Sequence, residues 1–126
     1  MLIIKHRQNF KIDCNNKLIS GVEIDVRIHK RELVLSHDPF CDGIKLIDWI
    51  KTFNYQFLII NVKEEGLETS ILEIIKKSNV KNYFILDETI PFIIKFCNNG
   101  FSNFGLRISK WESFDSAIKI VKNVIK

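Results

Sequence analysis

The sequence predicts an α/β fold built on a mostly parallel sheet, and three observations point to it. Short apolar, β-branched runs alternate along the chain with segments of helical period, the pattern of successive βα units. Two of the runs, 21–28 and 33–36, lie close enough to form a β-hairpin. Polar groups recur at the carboxyl ends of the runs: His6 and Arg7, Glu23 and Asp25, Asn61 and Lys63, Asp87, and Arg107. In barrels of βα units that face carries the active site.

Taken in order, Leu2 to Lys5 reads as a short buried strand, and residues 8–20 as a polar, irregular loop with Asn15-Asn16 inside it. From Gly21 to Ile28 the chain alternates: Val22, Ile24, Val26 and Ile28 share one face, and Glu23, Asp25 and Arg27 the other. Residues 29–32 form a turn, and Leu33 to Ser36 returns as a strand. A hairpin turning near residue 30 sets Glu23 opposite His37, about 5 Å apart at Cβ. Ile44 to Thr52 is a short helix and Phe57 to Val62 an apolar strand. Leu67 to Lys77 has helical spacing, Tyr83 to Leu86 is a strand, and Ile90 to Cys97 a helix that tolerates Pro91 in its first turn. Phe104 to Ile108 is a further strand, and Ser113 to Lys126 an amphipathic helix through Phe114, Ala117, Ile118, Val121 and Ile125. That makes about five parallel strands plus the hairpin, in one domain over 1–126 with no repeat, linker or low-complexity tract.

Composition narrows the function classes. With 46% hydrophobic residues and ten Phe, the chain can bury a core and is not a disordered segment. The net charge is +4 and the isoelectric point about 9.0, but no basic stripe interleaves with aromatics. Several lysines fall late in the predicted helices (Lys76, Lys77, Lys122, Lys126), where they suit the negative end of the helix dipole. A nucleic-acid partner is not expected. Cys14, Cys41 and Cys97 are too few and too widely spaced for a disulfide framework or a zinc knuckle, which fits reduced thiols in a cytoplasmic protein. The apolar run before Lys5, Met1 to Ile4, is too short for a signal peptide or a membrane span, and no transmembrane segment is expected.

The chemistry rests on four side chains. Glu23 and Asp25 stand two residues apart on one strand face, so their Cα atoms are separated by about 6–7 Å. Both carboxylates can then converge on one hard cation, Mg²⁺ or Ca²⁺, through oxygen ligands. A lone Glu-x-Asp is most often a solvated strand face; this pair is set apart by its company. His6 and His37 each end a strand, and imidazoles suit general acid–base work near neutrality. Arg7 and Lys63 can offset charge on phosphate oxygens. Read alone, Lys63 is equally a strand-end lysine with its stem on the sheet. His29 sits in a turn and carries no such role.

Together, His6-Arg7, Gly-Val-Glu-Ile-Asp-Val-Arg (21–27) and Leu-Val-Leu-Ser-His-Asp (33–38) resemble the signature of the glycerophosphodiester phosphodiesterases, relatives of phosphatidylinositol-specific phospholipases that share a TIM-barrel fold. The segment 58–67 resembles the family's next strand, which ends in a lysine, and 83–91 and 106–112 resemble later blocks of bacterial members, so the resemblance runs in order along nearly the whole chain. It implies a metal-dependent hydrolase of a small glycerol phosphodiester. His6 and His37 would be its acid–base pair, Glu23 and Asp25 metal ligands, and Arg7 and Lys63 phosphate contacts. The products would be glycerol phosphate and an alcohol, with a glycerol hydroxyl assisting the attack.

The departures from that pattern are also expectations. Gln8 stands where the family usually has Gly, which narrows the phosphate pocket. The stretch between Arg7 and Glu23 is shorter than usual. Asn61 stands where many members place a third carboxylate, making it a weaker metal ligand. A complete barrel takes about 200–250 residues, so 126 residues give a partial one lacking its last strands. Three outcomes follow: a fragment of an interrupted gene, a barrel completed by a homodimer or a second chain, or a half-barrel with weak activity. The rival to the enzyme is an impaired remnant that binds phosphate or metal without turnover.

Overall fold

The computed structural model describes residues 1–12 and 17–124. Cys14, Asn15-Asn16, and the predicted helix end at Ile125 and Lys126 lie outside the described residues. The strands are β1 (Ile4–Lys5), β2 (Gly21–His29), β3 (Glu32–Leu35), β4 (Ile44–Lys45), β5 (Phe57–Val62) and β6 (Tyr83–Leu86). The helices are α1 (Leu46–Trp49, continued as a 3-10 turn over Ile50–Thr52), α2 (Glu68–Lys76), α3 (Ile90–Asn98) and α4 (Phe114–Asn123).

The alternation read in 21–28 decides the architecture. β2 is central in an open six-stranded sheet of order β4-β3-β2-β5-β6, and β1 shares with β3 the edge of β2 opposite β5. β1, β2, β5 and β6 run parallel; β3 and β4 are antiparallel additions at one side. Val22, Ile24 and Val26 pair in register with Leu58, Ile60 and Val62, and Ile60 with Ile85. All seven point to the helical side, where they form one core with Leu46 and Trp49 of α1 and Ile71 and Ile75 of α2. The odd-numbered residues of β2 and β5 consequently face away from the helices. On that second face the Phe57 and Phe84 rings meet at a tilt, 5.6 Å between centroids, near the strand starts, and the polar residues cluster at the strand ends.

Three expectations need correction. The predicted helix 44–52 opens with the two-residue strand β4, which pairs Ile44 and Lys45 with Leu35 and Val34 and leaves only one helical turn and a 3-10 turn. The hairpin forms, but its turn is the two-residue pair Lys30-Arg31, both at positive φ (49° and 66°), as a type I′ loop requires. Its centre falls between residues 30 and 31, so Val26 pairs with Leu35 and the register misses Glu23–His37 by one residue. Third, the expected fifth parallel strand over 104–108 is reduced to a single bridge between Ile85 and Phe104. Gly105 N–H donates to the Ile85 carbonyl at 2.8 Å, and then Arg107 turns to Asp87. No further described strand covers its outer side.

Helix α4 follows the predicted amphipathic period, with Ser113 as its cap accepting from Ser116 N–H, yet it buries none of its described residues. No described helix is long and apolar enough to cross a membrane. Cys41 and Cys97 are free thiols.

Gly21 marks a close approach between neighbouring strands of the sheet. A Cβ there would lie 2.6 Å from the Phe57 carbonyl oxygen and 2.8 Å from Ile4 Cδ1. Gly21→Ala is expected to lower the unfolding free energy by about 1–3 kcal/mol, read as a lower urea midpoint at unchanged slope.

Candidate active site

Glu23 and Asp25 sit on the non-helical face of β2, at 3% and 0% exposure. Two carboxylates removed from water require close donors, because desolvation would otherwise outweigh any gain from folding. The short strap after β1 supplies most of them. Arg7, at φ 52°, turns the chain over the end of β2, so that its N–H donates to Glu23 Oε2 at 3.0 Å and Gln8 N–H donates to the Glu23 carbonyl at 2.7 Å. His6 Nε2 lies 2.8 Å from the same Oε2. Asn9 grips Asp25 twice: its amide donates to Oδ2 at 2.8 Å, and its carbonyl accepts from the Asp25 N–H at 2.8 Å. Trp49 ties the strap down by donating to the Phe10 carbonyl at 3.1 Å.

From the other side β5 brings Asn61 and Lys63. The register places Asn61 directly beside Asp25, and its amide nitrogen bridges Glu23 Oε1 at 3.2 Å and Asp25 Oδ1 at 3.1 Å. Lys63 Nζ lies 3.2 Å from the same Oδ1. The outer oxygens, Oε2 and Oδ2, are therefore held by the strap, and the inner oxygens, Oε1 and Oδ1, by β5. The Asn61 carbonyl oxygen is buried with no hydrogen-bond partner.

A carboxylate only accepts hydrogen bonds, so the His6 nitrogen facing Glu23 must carry a proton, leaving Nδ1 of a neutral ring to take one. The His6 side chain is 67% exposed, at the open mouth. His37 is placed differently. Its ring contacts Asp38, with Nδ1 2.9 Å from Oδ1, rather than either buried carboxylate. Arg27 fixes its backbone by donating to the His37 carbonyl at 3.0 Å while pairing with Glu64 at 3.1 Å. His37 beside it holds the Asp38 carboxyl below the usual range, with smaller contributions from Arg27 and Arg7, so the pair lies within electrostatic reach of the strap. Gln8 is buried and its amide turns back to the His6 carbonyl at 3.0 Å, bracing the strap.

Two features were missed in the sequence. Asn9 lies in a stretch with no periodicity, and no pattern separates it from its polar neighbours. Asp87 and Arg107 were noted only as strand-end polar groups; they form a two-pronged ion pair, at 2.8 Å and 2.6 Å, across the last bridge of the sheet. Asp87 raises the Arg107 pKa, with smaller contributions from Glu112 and Glu23.

The donor set suits a hard cation. Two carboxylate oxygens converge on the Asn61 amide nitrogen, and the oxygen of that same side chain has no partner; oxygen donors of this kind suit Mg²⁺ or Ca²⁺ better than a soft metal. Among the described residues no group of three His, Cys, Asp or Glu side chains is placed to hold an ion, and the side chain that touches both acids is the Asn61 amide.

A second acid pair lies at the same end of the sheet. Glu68, 1% exposed in the first turn of α2, accepts from Gly66 N–H at 3.0 Å and faces Glu88, whose Oε1 is buried without a partner. Burial first, then the Glu68 carboxylate and Glu65, push the Glu88 pKa up to about 8 from its ordinary 4.5. A carboxyl whose pKa is raised by folding contributes stability that is complete below its unfolded pKa and is lost as the pH rises through the folded one. Stability should therefore fall between about pH 4.5 and pH 8, and Glu88→Gln should flatten that fall, as read from denaturant midpoints across the range. Asn9→Ala, which removes two bonds to Asp25, should lower unfolding free energy by about 2 kcal/mol, checked by the same midpoints at neutral pH.

No family model, no curated protein and no solved structure matches the chain.

Proposed function

We propose that this chain is a metal-dependent phosphoric diester hydrolase of the glycerophosphodiester type, working in the cytoplasm on a partial TIM-like barrel. The observation that carries this reading is the buried Glu23–Asp25 pair, with outer oxygens locked by the strap and inner oxygens turned to one centre beside His6, Arg7 and Lys63. The resemblance of 6–7, 21–27 and 33–38 to the glycerophosphodiester phosphodiesterases supports it independently. The open, mostly parallel sheet with its polar strand ends is compatible with a partial α/β fold of this kind.

A hard divalent cation bound by Glu23, Asp25 and Asn61 would supply positive charge for the phosphoryl oxygens. The side chains would do the rest. Arg7 and Lys63 reach the phosphate from two sides and offset the charge that builds on it. One imidazole takes the proton of the attacking hydroxyl as its oxygen bonds to phosphorus; the other gives a proton to the leaving alkoxide as its P–O bond breaks. His6 is held for this by Glu23, and His37 by Asp38, each through one ring nitrogen so that the other is free to exchange a proton.

A second reading, an impaired remnant that binds phosphate or metal without turnover, is favoured by one observation: the His37 ring contacts Asp38 and neither buried carboxylate. Hydrolysis of a glycerophosphodiester with added Mg²⁺ or Ca²⁺ decides between the two. The enzyme reading expects turnover that a chelator abolishes and that His6→Ala and His37→Ala each reduce by about 10²–10⁴-fold. Ion binding with no turnover at any metal concentration would leave the remnant. Turnover indifferent to both histidines would remove the proposed roles.

A further inference from the structure

Four oxygens belong to the buried acid pair, and they are not treated alike. Glu23 Oε2 and Asp25 Oδ2 are bound by groups of the strap: Arg7 N–H, His6 and Asn9. Glu23 Oε1 and Asp25 Oδ1 are both bound by one side-chain nitrogen, that of Asn61, with Lys63 also on Oδ1. The Asn61 side chain is 97% buried by its residue exposure of 3%, and its oxygen finds no donor. An orphaned buried acceptor costs about 1–3 kcal/mol, so this orientation persists only because the alternative is worse. Turning the oxygen inward would set three negative oxygens together in a low-dielectric space.

A cation between the inner oxygens reverses that preference. The amide oxygen then becomes a ligand, and the N–H groups would point at positive charge. The two orientations differ by a half-turn about one terminal torsion, which is broad and roughly two-fold. The strap need not move, because none of its bonds uses an inner oxygen. Lys63, with its stem partly exposed, can swing from Asp25 toward the mouth.

We propose that Asn61 is a built-in occupant of the cation site: its amide nitrogen holds the two carboxylates together when no ion is present and turns over to offer its oxygen when an ion enters. This rests on the assignment of Glu23 and Asp25 as a metal pair. It adds that ion binding competes with an internal lock, so the neutral amide makes the cation-free protein more stable and the ion weaker-held than a third carboxylate would.

The test compares the full wild-type chain with Asn61→Asp, using Ca²⁺ or Mg²⁺ alone in calorimetry and thermal melts. Asn61→Asp loses the lock and gains a charge. It should melt about 5 °C lower without ion and bind the ion at least about tenfold more tightly. If the variant does not fold without ion, a wild-type crystal soaked in Ca²⁺ decides: a terminal Asn61 atom at about 2.3–2.6 Å from the ion can only be its oxygen. Wild-type binding with Asn61 out of contact, or a variant with unchanged melting and affinity, overturns the proposal while sparing the metal pair. No binding of either ion by the wild-type chain overturns both.

Discussion

The fold is organised around two carboxylates that cannot reach water. Glu23 and Asp25 lie on a central strand, and a single unpaired charge at that depth would cost several kcal/mol. The irregular strap after β1 supplies donors to both of them. Arg7 adopts a left-handed backbone so that its N–H reaches Glu23, Asn9 closes a two-point clamp on Asp25, and the strap that carries both is pinned at its far end by Trp49. Spending this many groups on two acids is poor design for stability alone, since an apolar pair of similar volume would hold the sheet as well or better. The expenditure makes sense where the charge itself is used.

The sheet makes that arrangement possible through register. Asp25 pairs with Asn61 and Glu23 with Ile59 in the parallel ladder, so the amide of Asn61 reaches both acids from the neighbouring strand. A slip of one residue in β5 would turn Asn61 and Lys63 into the helical core and bring Ile60 out to the acids. The apolar set Leu58, Ile60 and Val62, all buried, is what forbids that slip. Core packing and site chemistry are thus two consequences of one alternation, read on opposite faces of the same strands.

That alternation was legible in the sequence, and so was most of what depends on it. β5 and β6 fall on the predicted residues, and the acids, Asn61 and Lys63 meet as their strand positions implied. What was not legible depends on geometry that period alone does not encode. The hairpin register turned on whether the loop centred on residue 30 or between 30 and 31, and that half-residue moved His37 off its expected place opposite Glu23. The strand at 104–108 has the right residues but lacks a partner on its outer side, and it stops after one bridge. Asn9 gave no signal, because a side-chain clamp formed by an irregular strap leaves no pattern in its own neighbourhood.

We propose that the inner oxygens of Glu23 and Asp25 form a binding site for a hard divalent cation. Isothermal titration of Ca²⁺ and Mg²⁺ into the wild-type chain and into the Glu23→Gln, Asp25→Asn double variant tests it most directly. One ion should bind per wild-type chain, and a folded double variant should show no measurable binding. Binding that survives the loss of both charges would place the ion elsewhere and remove these carboxylates as its ligands.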